Sequence, residues 1–465
     1  MWRQIMEHMT VGQIVNACKG TLLLGEPDIV VKHISLNSRT MKGNDLFVPL
    51  IGEHVDAHKY IGQAMENGAV AVFTSEHEQV PDKAKGAWIK VEDTKSALQS
   101  LGTYCRSLLN LPVIGITGSV GKTTTREMVA TALSAGFQVF KTPGNYNSQV
   151  GVPVTLSEIG QEDEIAVIEL GMSEPGEMTV IARIAQVDMA IITNIGVTHI
   201  GQLGSQENIY REKMAIQDGL KPGGTLILNG DDKWLKNTKA KAGCHTIYYG
   251  MGKHCDYRAE DVKIIDGYPS FTAVCQGKRV PVSLNVMGEH QVGNALAALA
   301  AADLNGVSVE KAARALKNFE GYQGRQQIWN QDGVMVIDDT YNASPASMIG
   351  AIDILSSLTK VQRRIAVLAD MKELGEEEVK FHQQVGEHLA KCQVEMLLTY
   401  GVLAEEIQKE ALKSRPGLQA IHFQQKEELE AYLFGILKRG DAVLLKGSNS
   451  MKLGEVAQYV CQHHY

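Results

Sequence analysis

The sequence predicts an α/β protein of three domains: a small N-terminal α/β module, a central domain built on a parallel sheet, and a C-terminal Rossmann-like domain. Three observations carry this expectation. A chain of 465 residues exceeds what one hydrophobic core usually organises. Two separate series of apolar β runs alternate with helical patterns, the signature of parallel sheets wrapped by helices. The texture of the chain changes near residues 108 and 320, which divides it into 1–107, 108–320 and 321–465.

In the first part the pattern is short and mixed, with strands expected at Ile29–Ile34 and Asp45–Leu50 and a helix followed by a strand across Ile61–Phe73. From Pro112 the runs Val113–Thr117, Ile165–Leu170, Met189–Asn194 and Thr225–Asn229 each end in polar or glycine-rich turns, where ligand-contacting residues of a parallel sheet gather. Cys244–Val286 reads as an antiparallel appendage interrupting this series, before a helix at Asn294–Leu304. After the turn-rich Gly321–Gly324, the runs Val334–Ile337, Ile365–Leu368, Met396–Tyr400 and Ala442–Leu445 form the second series. It lacks G-x-G-x-x-G after its first strand, so no dinucleotide is assigned to it.

Composition narrows the function classes. The apolar fraction of 44% and charged fraction of 21% are those of a folded globular chain. A net charge of -8 without a long basic block argues against nucleic acid or an anionic membrane as partner. The seven cysteines are scattered and never in a C-x-x-C pair, which suggests neither a disulfide framework nor a zinc site and fits a reducing cytosol. No stretch reaches the roughly 20 apolar residues of a membrane span, and residues 1–10 carry charges rather than an apolar leader. The expectation is a cytoplasmic protein, and a monomer.

The strongest local signal is Gly115-Ile116-Thr117-Gly118-Ser119-Val120-Gly121-Lys122-Thr123-Thr124, set between an apolar strand and a helix-forming stretch. Glycines let backbone N–H groups converge on phosphate oxygens, the helix start adds partial positive charge, Lys122 can reach the β/γ oxygens, and the Thr123 hydroxyl can ligate Mg²⁺. The strict G-x-x-x-x-G-K-[ST] spacing is not met, because Ile116 occupies the first glycine's place and Gly115 lies one residue early. Glu169, ending an apolar run, could hold Mg²⁺ beside bound nucleotide, since phosphoryl transfer needs its charge neutralised. His199 leaves another strand in Thr193–His199, and Lys213 follows in a helical segment, Asn208–Gln217. Taken alone, the histidine reads as structural and the lysine as a solvated helix residue.

The phosphate loop in its Gly-x-x-Gly-x-x-Gly-Lys-Thr form, Glu169, His199 with Lys213, and Gly288-Glu289-His290 running into Asn294 together resemble the central domain of the Mur ligases. Gly144-Asn145-Tyr146-Asn147, Asp338–Pro345, Asp370–Gly375 and Lys446–Met451 resemble the branch of that family that adds a dipeptide. The resemblance implies an ATP-dependent ligase that joins D-alanyl-D-alanine to UDP-MurNAc-tripeptide through an acyl phosphate. It implies a nucleotide site at Gly118, Ser119, Val120, Gly121, Lys122, Thr123 and Thr124, with His290, Asn294, Arg325 and Asp339 about the adenosine. Two Mg²⁺ ions are implied, held by Thr123, Glu169, His199 and a carbamylated Lys213. Lys122, His199 and Lys213 are the implied catalytic residues, and Ser38, Arg39, Asn145 and Asn147 the implied substrate contacts. By the same analogy Asp370–Gly375 and Lys446–Met451 shape the dipeptide side. The chain departs from the commoner family pattern at Asn37, Val120, Ala369, Ser344 and Asn449, the last replacing a cation that could hold a dipeptide carboxylate. Three rival readings stand beside this one: a related ligase adding a single amino acid or glutamate, a nucleotide-hydrolysing switch, and an inactive scaffold.

Overall fold

The computed structural model describes residue 6 and residues 9–462. Three sheets follow one another along the chain. The N-terminal sheet has five strands in the order Thr21–Leu24, Ala87–Lys90, Ala69–Thr74, Asp45–Phe47, His33–Ser35, antiparallel only at its first pair. A separate two-stranded ribbon pairs Met9–Thr10 with Val30–Val31. The expected strand at Ile29–Ile34 is therefore two short ones that pair with different partners. Helix Thr94–Leu108 closes this unit, with Leu98, Leu101 and Cys105 buried in its core.

The central sheet has nine strands. Its parallel part runs Val139–Lys141, Ile165–Glu169, Val113–Thr117, Met189–Ile192, Thr225–Asn229, His245–Gly250, Tyr257–Ile265, and two antiparallel strands, Tyr268–Cys275 and Lys278–Ser283, extend it. The expectation of an interrupting appendage over Cys244–Val286 is corrected here. His245–Gly250 pairs in parallel with Thr225–Asn229, and the antiparallel strands continue the same sheet by main-chain hydrogen bonds. Both faces of the parallel part are covered, so its strands are apolar at consecutive positions. Ile114 and Ile116 pack with Met128, Leu133 and Leu296 on one face, while Val113, Ala166 and Ile168 pack with Leu156 and Ile181 on the other. The chain starts the parallel series at Val113–Thr117, in the middle of the sheet, with Ile165–Glu169 on one side and Met189–Ile192 on the other. That arrangement opens a crevice at the carboxyl ends of these three strands.

The C-terminal sheet runs Gln327–Gln331, Val334–Asp338, Asp441–Lys446, Arg363–Ala369, Met396–Tyr400, Gln419–Phe423, parallel except for the hairpin of its first two strands. Helices Pro345–Ser357, Glu378–Ala390 and Ala404–Ser414 cover one face and Lys426–Ile436 with Leu453–Gln462 the other. The three-domain α/β expectation holds. No helix among the described residues is long and apolar enough to cross a membrane.

Candidate active site

A cavity of about 1110 Å³ lies between the central and C-terminal domains. The central domain contributes the phosphate loop, Glu169, Asn194–His199 and His290, and the C-terminal domain contributes Arg325, Asp339 and Tyr341–Ser344.

The loop leaves strand Val113–Thr117 and enters helix Lys122–Leu133. Two positions in it require glycine. Gly118 has φ 149°, and a Cβ there would fall 1.8 Å from Thr193 Oγ1; Gly121, at φ 85°, is the left-handed residue that starts the helix. The neighbouring strand end fixes the loop's crest. Asn194 Oδ1 accepts from Val120 N at 3.0 Å, and Asn194 Nδ2 and Thr193 Oγ1 both donate to Val120 O, at 2.9 and 2.6 Å. The loop is thus clamped through the backbone of residue 120, so a valine serves there without loss of these bonds. Ser119 Oγ accepts from Gly196 N at 2.8 Å, and Thr124 lines the cavity.

Lys122 Nζ donates to Gly118 O at 2.9 Å, folding back over the loop. Burial lowers its pKa from the usual lysine value, Glu169 opposes the shift and Arg325 reinforces it. Thr123 Oγ1 donates to Glu169 Oε2 at 2.9 Å, while Asn147 Nδ2 donates to Glu169 Oε1 at 2.8 Å. Asn145 is exposed and lies outside the cavity lining, so of the two asparagines only Asn147 reaches the site. Arg126, one turn after Lys122 and 1% exposed, sits between Glu127 at 2.6 Å and Glu169 at 3.4 Å. Sequence reasoning passed it over, although its four-residue spacing from Lys122 puts both on one helix face.

Lys213, on helix Gln206–Met214, is 1% exposed and does not line the cavity. Its pKa falls well below the ordinary lysine value, first through burial and then through repulsion by Lys122, with Glu212 opposing. His199, in the left-handed region at φ 64°, lines the cavity. Its Nδ1 lies 2.6 Å from Glu373 Oε2 of the C-terminal domain, outside hydrogen-bond angles, and this neighbour holds the Glu373 carboxyl below its usual range. Thr198 Oγ1 beside it is buried with no hydrogen-bond partner. Glu373 falls in a segment the sequence singled out, but nothing local to it signals a partner so far along the chain.

The adenosine candidates converge from both domains. Asn294 Oδ1 accepts from Thr125 Oγ1 at 3.1 Å, and its Nδ2 donates to Gln291 Oε1 at 2.9 Å. Gln326 Nε2 donates to His290 Nε2 at 3.3 Å. Arg325 stacks its guanidinium 4.1 Å from the centre of the Tyr341 ring, with Nε lacking a partner. Asp339 Oδ2 accepts from Lys446 Nζ at 2.6 Å, and Lys446, 2% exposed, also donates to Asn342 O at 3.0 Å. Lys446 therefore lies under Asp339 at the wall of this cavity. Ser38 and Arg39 border a separate hollow of about 180 Å³ with Phe47 and Tyr60. Ser38 Oγ is already committed to Gln63 Oε1 at 2.7 Å, whereas Arg39 is exposed. Asn37 makes a side-chain turn, its Oδ1 accepting from Arg39 N at 3.0 Å, so an amide keeps the loop's shape where an acid is common.

Family models match along the chain: "Mur ligase family, catalytic domain" at residues 30–104, "Mur ligase middle domain" at 116–302 and "Mur ligase, glutamate ligase domain" at 324–449. The UDP-N-acetylmuramoyl-tripeptide--D-alanyl-D-alanine ligase of Bacillus subtilis is 37% identical over 97% of both chains. The chain belongs to the Mur ligase family, in its MurF group. Among solved structures, MurF from Acinetobacter baumannii superposes with a TM-score of 0.88 at 30% identity, over 98% of this Mur ligase and 100% of that chain. MurF from Thermotoga maritima in complex with ADP gives 0.81 at 28% identity, over 92% and 97%. Other departures of this Mur ligase from the common pattern have structural counterparts. Ala369 packs directly on Gly447, where a Cβ would lie 2.7 Å from the Ala369 methyl, and Ser344 starts helix Pro345–Ser357 with its N–H donating to Ser347 Oγ. Asn449 is exposed in the short turn Asn449–Met451.

Proposed function

We propose that this chain joins D-alanyl-D-alanine to UDP-MurNAc-tripeptide at the expense of ATP. The observation that carries the reading is one cavity bordered by the phosphate loop, Glu169 and His199 on one domain and by Arg325 and Asp339 on the other. The full-length likeness to ligases named for this reaction agrees with it.

The tripeptide's terminal carboxylate attacks the γ-phosphate, releasing ADP and leaving an acyl phosphate. The dipeptide amine then attacks the acyl carbon, and the tetrahedral adduct collapses to the amide and phosphate. Lys122 exchanges Gly118 O for phosphate oxygens, and the N–H groups at the helix start, from Gly121 to Thr124, hold the rest of the triphosphate. Asn294, His290, Arg325 and Asp339 orient the adenosine, so that catalysis is positioning and charge stabilisation rather than attack by a side chain.

The donor set fits divalent ions. Thr123 and Glu169 offer oxygens at the loop, and the unpartnered Thr198 hydroxyl beside His199 offers a place for a hydrated ion. Mg²⁺ bound there supplies neutralisation of the β and γ oxygens. Lys213 supports the carbamate reading: burial disfavours its ammonium, so the free amine that adds CO₂ is the accessible form, and the product is an anionic oxygen donor. We assign residues 1–107 to the UDP-sugar, with Ser38 and Arg39 at the uridine diphosphate, residues 108–320 to ATP, and residues 321–465 to nucleotide closure and the dipeptide. Of the two asparagines only Asn147, which lines the cavity, is kept on the substrate side of this proposal, which also includes a monomeric state and a cytoplasmic location.

Phosphate release from Mg-ATP, UDP-MurNAc-tripeptide and D-alanyl-D-alanine, omitting each in turn, tests the reading. It requires all three together with a product of UDP-MurNAc-pentapeptide mass. Release indifferent to both acceptors sinks the substrate assignment.

A further inference from the structure

The geometry points to Glu373 as the positioning residue of His199, delivered by the C-terminal domain, so that docking of this domain is what orients the imidazole toward the ATP site. This inference rests on the ligase reading above and goes beyond it.

An imidazole has two nitrogens, and a carboxylate facing one of them fixes which carries the proton and where the other points its lone pair. In this chain Nδ1 of His199 faces Glu373 Oε2 at 2.6 Å, while His199 lines the cavity. The pair is in contact but not aligned as a hydrogen bond, and in the inferred arrangement the half-exposed Glu373 carboxylate turns to accept from Nδ1–H. Nδ1–H is then held, and Nε2 is left with its lone pair for the cavity.

Glu373 is no casual surface acid. It sits at φ 64°, in the left-handed region that a glutamate adopts only when its surroundings demand it. The demand comes from the three residues before it. Asp370, 1% exposed, accepts from Leu403 N and Ala404 N at 3.0 and 2.8 Å. Met371 N donates to the buried His382 at 3.0 Å, and Lys372 N donates to Ser448 Oγ at 2.9 Å. The next residue is thereby aimed outward from a fixed base.

The approach of the two loops is likewise built in. Gly201 and Gly375 abut, a Cβ on Gly375 falling 3.0 Å from Gly201 Cα, and Gly201 N donates to Glu373 O at 3.4 Å. Side chains at either glycine would hold the loops apart. A half-exposed carboxylate–imidazole contact by itself contributes at most about 1 kcal/mol to holding domains together, so a purely structural role predicts small and uniform effects. A positioning role predicts a selective one.

The test uses the full-length enzyme with Glu373→Ala, Glu373→Gln and Gly201→Val. Glu373→Ala is expected to lower kcat by about 10- to 100-fold, the range seen when a partner orienting a ligating histidine is lost. It should raise the Mg²⁺ concentration needed for half-maximal rate and leave KM for ATP and UDP-MurNAc-tripeptide within about twofold. Glu373→Gln keeps an acceptor for Nδ1–H and should recover most of the rate. Gly201→Val leaves both partners intact but wedges the loops, and should reproduce Glu373→Ala.

A readout independent of turnover comes from ring ¹⁵N shifts of labelled histidine, with His199 assigned by its loss in His199→Asn. With Mg²⁺, a non-hydrolysable ATP analogue and UDP-MurNAc-tripeptide present, wild type should show His199 as a single Nδ1–H form, and Glu373→Ala a mixture. An unchanged His199 spectrum, or Glu373→Ala activity and Mg²⁺ requirement within about twofold of wild type, overturns the inference. Failure of the wild type to make pentapeptide would instead count against the ligase reading, and the ¹⁵N comparison would still decide the pairing.

Discussion

Gly118→Ala is the perturbation that most directly probes how the phosphate loop is built. The new methyl would be placed 1.8 Å from Thr193 Oγ1, at a backbone φ of 149° that L-residues rarely adopt. Holding alanine in such a conformation costs about 1–3 kcal/mol. The Thr193 hydroxyl must also leave, breaking its 2.6 Å bond to Val120 O, a further loss of about 1 kcal/mol. The expected penalty of about 2–4 kcal/mol corresponds to a fall of about 30- to 1000-fold in kcat/KM for ATP. Thr193→Ala alone loses only the hydroxyl's bond, about fivefold on the same scale. In the double variant the worst clash has gone, and the nearest Thr193 atoms to the new methyl are Cβ at 3.0 Å and the amide N at 3.1 Å. The Gly118→Ala/Thr193→Ala protein should therefore be no worse than Gly118→Ala, a coupling of about 1 kcal/mol or more in the cycle. Steady-state phosphate release for the four proteins, with melting temperatures measured in parallel, decides the matter. A Gly118→Ala enzyme within about threefold of wild type, or a strictly additive cycle, would refute the claim that Thr193 sets the loop through this contact.

Three other outcomes are expected. Lys213 has a folded pKa far below its unfolded value, so the unfolded chain binds a proton that the folded chain sheds, and wild type carries a stability cost at neutral pH that fades as pH rises toward 10.5. In bicarbonate-free buffer Lys213→Met should therefore melt above wild type at pH 7, with the gap narrowing at high pH, while ligase activity disappears; a lower melting temperature for the variant contradicts the buried-amine account. His382 is buried and its pKa lies below 6.5, so its stabilising neutral form is lost as pH falls from 6.5 through the folded pKa. Melting temperature should drop over that acid range, and His382→Gln, which can still accept from Met371 N, should flatten the drop. Lys446→Met strands the Asp339 carboxylate against a largely buried site, and urea unfolding should show a loss of about 3–5 kcal/mol that Lys446→Met/Asp339→Leu partly restores.

How far the molecule could be read from its sequence follows from how local each determinant is. The phosphate loop was legible because glycine, lysine and threonine act there within ten consecutive residues, and the buried parallel strands because both faces are apolar. Gln419–Phe423 escaped because an edge strand faced partly by solvent carries polar side chains, as in its Gln419 and His422. Thr21–Leu24 and Ala87–Lys90 are too short to show a period. His245–Gly250 was set with the antiparallel strands because its half-exposed start hides its parallel pairing. Glu373 beside His199 and Lys446 under Asp339 are pairings across long stretches of chain, which no spacing rule reaches.

The joints between the three units are unequal, and this has a mechanical consequence. Helix Thr94–Leu108 is riveted to the central domain: Arg106, 2% exposed, donates to Ala185 O at 2.8 Å and Gln186 O at 2.9 Å and meets Asp188 at 3.2 Å. Gly102 on the same helix lies so close to Pro153 that a Cβ would come within 2.6 Å of it. The covalent passage to the C-terminal unit is instead a turn with Gly321 and Gly324 at positive φ, and that unit meets the central domain through surface contacts such as Asp266 with Thr359 and Lys360 and Gly201 with Gly375. The first two units are therefore joined as one anvil, and the closure proposed for the C-terminal unit would place its backbone rotation in the four residues from Gly321 to Gly324. On that proposal, stiffening the turn would throttle turnover without touching a single group that meets ATP.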